Sequence, residues 1–122
     1  MEKQKLILIV DDDETVRNLL KEALEEQQFK VILAADGRTA LDLAEKNIPD
    51  LVITDLLLQK EHGIRVLHTI KEKYFIPIVV ISGIYHRHEI MKIIEDHNID
   101  GFFEKPLNIV ELVKKIKSIL NA

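Results

Sequence analysis

The chain has no cysteine, so it carries no disulfide framework and no thiolate site, and it is compatible with a reducing compartment. Glycine and proline are few, four and three in 122 residues, which separates the chain from fibrous and low-complexity proteins and leaves no stretch that reads as a linker. Long apolar runs are missing too. The longest, such as Ile76 to Ile81 with Pro77 inside it, are far too short to span a bilayer, and the run Leu6 to Val10 stops at three aspartates, unlike a signal peptide. The cytoplasm is therefore the expected location, with no membrane partner. There is no basic excess either: the net charge is −4 and no basic stripe is visible, so direct nucleic-acid binding by this chain is not expected. What is present suits one domain over residues 1–122, with enough apolar sequence for one core and too little for two.

Apolar runs of strand length occur at Leu6 to Val10, Val31 to Ala35, Leu51 to Ile53, Ile78 to Ile81 and around Phe102 and Phe103. Helical spacing lies between them. Val16, Leu19, Leu20, Ala23 and Leu24 form one stripe, and Leu112, Val113, Ile116, Ile119 and Leu120 another. Less complete stripes predict helices from about Arg38 to Lys46, Ile64 to Lys71 and Glu89 to Asp96. Asn108 followed by Glu111 resembles a capping box, and Asp36-Gly37 is a turn signal before the second helix. Strands alternating with helices imply right-handed crossovers, hence a doubly wound α/β domain with a parallel sheet covered on both faces.

In such a sheet, ligands bind beyond the carboxyl ends of the strands. The polar residues there are Asp11 and Asp12 after the first strand, Asp55 after the third, Ser82 after the fourth and Lys105 after the fifth. Carboxylates converging on one edge repel one another unless a cation sits among them, and an all-oxygen site suits magnesium. Ordinary explanations compete. An aspartate between strand and helix is often an N-cap, which accounts for one residue of three, and Asp13 is the natural candidate. Asp55 alone would be a loop acid, but opposite Asp11 and Asp12 it is better read as a carboxylate beside a divalent ion, able to attack phosphorus. Ser82-Gly83 alone is a turn, and Lys105-Pro106 alone a strand-ending loop with a candidate cis bond. Together they supply the hydroxyl and the positive charge that a phosphorylated Asp55 would need.

On the segments "LILIVDDDETVR", "PDLVITDLLL" with Gly63 eight residues after Asp55, "PIVVISG" and "DGFFEKP", the chain resembles the receiver domain of two-component response regulators over essentially its whole length. The resemblance implies the flavodoxin-like (βα)5 fold, with a five-stranded parallel sheet in the order 2-1-3-4-5 that sets the first and third strands side by side. It implies Asp55 as phosphoacceptor, Asp11 and Asp12 as the magnesium pair, a backbone carbonyl from Leu57 on Mg2+, and Ser82 and Lys105 as phosphoryl partners. Ser82 and Phe102 would be the switch residues. The implied partners are a sensor histidine kinase or histidine phosphotransfer protein, and downstream a protein target or a phosphorylation-dependent homodimer. The readout face would run over Ile84 to Ile99, Gly101 to Lys105 and Asn108 to Leu120. No output domain is expected in this chain, and no enzyme activity beyond self-catalysed transfer and slow autodephosphorylation.

Some residues depart from the family pattern. Leu58 and Gln59 stand where a methionine and a proline are usual, which leaves "QKEHG" free to take another turn. Phe102 stands for a frequent tyrosine and has no hydroxyl to anchor an outward state. Leu57 and Ile84 cannot orient a hydrolytic water, so slow loss of the phosphoryl group is expected. His86 and His88 lack a third ligand and read as solvated, as do His62, His68 and His97 and the lysines Lys114, Lys115 and Lys117. Two other functions compete with the switch. A Mg2+-dependent phosphohydrolase would want an acid where Leu57 stands. A phosphate-independent interaction module is suggested only by the altered loop after Asp55, since all five site groups are present. A glycine-rich phosphate loop after the first strand is absent, which argues against a nucleotide-binding flavodoxin-like protein.

Overall fold

The computed structural model describes residues 3–56, 63–83, 91–92, 95–96 and 98–121. Five strands form one parallel sheet in the order β2-β1-β3-β4-β5. They are β1 (Leu6–Val10), β2 (Lys30–Ala34), β3 (Leu51–Asp55), β4 (Ile78–Ser82) and β5 (Gly101–Glu104). The described helices are α1 (Glu14–Glu26), α2 (Gly37–Lys46), α3 (Gly63–Tyr74) and a C-terminal helix (Ile109–Leu120). Residues 91–92 and 95–96 are also helical, within the stretch where the spacing predicts a helix from Glu89 to Asp96; the rest of that segment lies outside the described residues.

Alternation along each strand divides the core. Leu8, Val10, Val52, Ile78 and Val80 face one side and pack against Ala40 and Ala44 of α2 and Val66, Leu67 and Ile70 of α3. Ile7, Ile9, Ile53, Val79 and Ile81 face the other, against Leu20 and Leu24 of α1 and Leu112 and Ile116 of the C-terminal helix. Both faces are thus covered, which is why the central strands read as continuous apolar runs. Each buried side chain of this size contributes about 1.5–3 kcal/mol relative to exposure.

The two edges of the sheet are finished differently. At the amino edge, Asp50 Oδ2 accepts from Leu6 N at 2.7 Å and Asp100 Oδ2 from Ile78 N at 2.8 Å, so a carboxylate satisfies the first N–H of a neighbouring strand. At the carboxyl edge, register places Val10 beside both Ala34 and Thr54, Asp55 beside Ile81, and Ser82 beside Glu104. Asp11, which follows β1, therefore sits level with Asp55, and Lys105, which follows β5, one step beyond Ser82.

Helix starts follow local chemistry. Asp13 caps α1, its side chain accepting from Thr15 N at 2.9 Å, as the sequence reading assigns it. Asn108 caps the C-terminal helix through Glu111 N at 3.1 Å. Asp36, read from sequence as part of a turn, also caps: its Oδ1 accepts from Thr39 N at 2.8 Å and so starts α2.

Candidate functional site

Asp11 leaves β1 fully buried, and its N–H extends the sheet by donating to Ala34 O at 3.1 Å. Its Oδ1 accepts from Asp13 N at 2.8 Å, closing a tight turn that leaves Asp12 half-buried between two fixed neighbours. Asp55 ends β3 and is 4% exposed. Carboxylate oxygens of Asp11, Asp12 and Asp55 all lie within 4.8 Å of one another. The sequence reading of one acidic cluster built from two strand ends is met by this geometry.

Lys105 reaches in from the end of β5. Its Nζ donates to Asp55 Oδ2 at 2.6 Å and lies 2.8 Å from Asp11 Oδ2. Asp11 Oδ2 is buried and faces this ammonium as its ionic partner. Burial alone would lower the lysine pKa, and it is the largest single influence. The contacts and charges of Asp11 and Asp55 together outweigh it and hold the ammonium above its ordinary value.

Ser82 is 1% exposed at the end of β4, and its carbonyl accepts from Lys105 N at 2.7 Å, which joins the serine and lysine positions through the main chain. The Lys105-Pro106 peptide bond is cis, as the sequence suggests. Phe102 is half-buried on β5 and packs against the core side that α2 and α3 cover. Leu57, expected to offer a carbonyl to the metal, lies outside the described residues, as do Leu58, Gln59, Ile84, His86 and His88.

One residue was not anticipated from the sequence. Arg17, on the first turns of α1, donates from Nη1 to the Asp11 carbonyl at 2.8 Å. Its position four residues after Asp13, on the turn that follows the acidic run, is the signal that could have revealed it.

The donor set suits a hard divalent cation. Three carboxylates offer oxygens only, and one of those oxygens, Asp11 Oδ2, is buried with the Lys105 ammonium as its ionic partner. Oxygen ligands from one or two carboxylates, with places left for water and phosphate, are the environment that Mg2+ prefers. The same edge presents a nucleophilic carboxylate beside an ammonium, the equipment for binding a phosphoryl group rather than for hydride or acyl chemistry.

A family profile described as the response regulator receiver domain matches residues 7–117. Among curated proteins, the chain is 36% identical over 115 residues to the transcriptional regulatory protein CpxR of Escherichia coli (strain K12), covering 93% of this chain and 48% of CpxR. It is 35% identical over 118 residues to the alkaline phosphatase synthesis transcriptional regulatory protein PhoP of Bacillus subtilis (strain 168), covering 95% of this chain and 48% of PhoP. The chain spans about half the length of these relatives. Among solved structures, it is similar to the chemotaxis response regulator CheY4 of Vibrio cholerae, with a TM-score of 0.86 and 25% identity over 96% of this chain and 99% of the other.

Proposed function

The chain belongs to the response regulator receiver domain family, whose members act as phosphorylation-activated switches in two-component systems, and from that premise we propose that Asp55 is its phosphoacceptor. The donor is a phosphohistidine of a sensor kinase or phosphotransfer protein. A carboxylate oxygen of Asp55 attacks phosphorus while the P–N bond breaks, and the electron pair stays on the imidazole nitrogen. Asp11 and Asp12, with Asp55 itself, hold Mg2+. When bound, the ion neutralises the crowded oxygens and stabilises the charge that spreads over the transferring group.

The protein's own groups do the rest. Lys105 already donates to Asp55 Oδ2, so its ammonium is placed to follow the new phosphoryl oxygens and to leave Asp11 as it does so. Ser82, joined to Lys105 through the main chain, supplies a hydroxyl. Movement of these two groups is the local charge event, and Phe102 on the same strand as the Lys105 connection carries it toward the surface of β5 and the C-terminal helix. A partner protein, or a second copy, reads that surface. Leu57, two residues after Asp55 in the sequence, has no polar group with which to orient water, which supports slow loss of the phosphoryl group.

The observation that supports this reading best is the placement of Lys105 Nζ between the buried carboxylates of Asp55 and Asp11. Intact mass after incubation with Mg2+ and a small acyl-phosphate donor tests it. The wild type should gain one phosphoryl group and Asp55→Asn none. No gain in a folded wild type with several donors would replace this reading with a phosphate-independent interaction module.

A further inference from the structure

The main-chain and Oδ1 atoms of Asp11 are all committed to hydrogen bonds: N to Ala34 O, Oδ1 to Asp13 N, and the carbonyl to Arg17 Nη1. Only Oδ2 remains, buried and directed at Lys105. Arg17 holds this turn twice. Its own N–H donates to Asp13 O at 3.1 Å and its guanidinium to Asp11 O at 2.8 Å, so a single residue binds the carbonyls on either side of Asp12.

We infer that Arg17 is a positioning residue for the divalent cation, orienting the Asp11–Asp13 turn so that Asp11 Oδ2 and Asp12 face the metal together. This rests on the reading of that cluster as the Mg2+ site. A guanidinium has no lone pair and stays charged, so it cannot itself be a ligand or a proton carrier here. Two consequences of removing it oppose each other. Loss of the clamp lets the turn relax and weakens Mg2+ binding, whereas loss of a nearby positive charge would tighten it. The guanidinium contact given by the geometry is to a main-chain carbonyl, and half-burial of Arg17 leaves part of its charge to solvent, so positioning outweighs repulsion.

Calorimetric titration of the full chain with Mg2+ alone, compared for wild type, Arg17→Met, Arg17→Lys and Asp12→Asn, separates these effects, with metal-free melting followed by circular dichroism. Arg17→Met should weaken Mg2+ binding about ten-fold, the scale usual for residues that orient ligands. Arg17→Lys, which keeps the charge and a donor, should stay within about three-fold of wild type. Equal or tighter binding by Arg17→Met overturns the inference, as does a lowered melting temperature with unchanged affinity, which would mark a purely structural role. If Arg17→Met does not fold, Arg17→Ala, which also lacks a side-chain donor, carries the same comparison. A folded wild type that binds Mg2+ no better than Asp12→Asn would overturn the underlying reading of the acidic cluster, and that failure shows before any Arg17 variant is considered.

Discussion

Lys105→Met keeps most of the side chain's length and removes the ammonium that lies 2.6 Å from Asp55 Oδ2 and 2.8 Å from Asp11 Oδ2. The acid side chains are 6% and 0% exposed, so water cannot take the ammonium's place easily. Oxygens of Asp11, Asp12 and Asp55 lie within 4.8 Å, and at an effective dielectric of about 20 each pair of unit charges then repels by about 3.5 kcal/mol. Part of this is absorbed. Lys105 is itself 25% exposed, so solvent screens part of the repulsion and the expected destabilisation in metal-free buffer is about 2 kcal/mol. With an unfolding entropy of about 2.1 cal/mol/K per residue over 122 residues, that lowers the melting temperature by about 8 °C. Because Mg2+ seeks the oxygens that Lys105 holds, excess Mg2+ should raise the melting temperature of the variant more than that of the wild type. The assay is thermal unfolding by far-ultraviolet circular dichroism in EDTA and in Mg2+. An unchanged midpoint in EDTA, or equal stabilisation of both proteins by Mg2+, would refute the idea that ammonium and metal share one set of carboxylates.

The remaining predictions concern single groups. The raised Lys105 pKa means that its ion-pair contribution is whole below the ordinary lysine value of 10.5 and fades as pH rises through the raised value; the melting gap between wild type and Lys105→Met should hold from neutral pH and narrow only in strong alkali. Asp13→Ala removes the cap of α1 and should cost about 1 kcal/mol while leaving phosphoryl gain in the mass assay intact, since Asp13 offers its backbone N–H, not its carboxylate, to Asp11. A loss of phosphorylation in that variant would make Asp13 a site residue. Phe75 sits at φ 55 and is 86% exposed, so Phe75→Asn should raise stability by about 0.5–1 kcal/mol in urea unfolding, because asparagine tolerates the left-handed region and little packing is lost. No gain would mean that the ring packs more than its exposure suggests.

The strands were legible because a sheet covered on both faces demands unbroken apolar runs, and Ile7, Leu8, Ile9 and Val10 are all 0% exposed. The apolar pattern matches β1, runs one residue late on β2 and stops short on β3 and β4, which include Asp55 and Ser82, polar residues that the pattern leaves out but the ladder still pairs. The α2 start shows a different limit. Asp36 and Thr39 have the cap spacing, yet Asp-Gly is also a turn signal, and only the backbone decides between the two. The acidic cluster followed from topology, since strand order alone brings Asp11 and Asp55 together. What topology does not carry is where long, flexible side chains go once the strands are in place. Lys105 could have met Asp55 alone; instead it also approaches Asp11, and Arg17 takes the Asp11 carbonyl. Those two choices determine how the site behaves. A carboxylate fixed at its backbone by one cation, and offering its last oxygen to another, is rigid in position and contested in charge. On the proposed reading, Mg2+ binding and phosphorylation of Asp55 would both act on the contact between Lys105 and Asp11, while the turn that Arg17 holds stays in place.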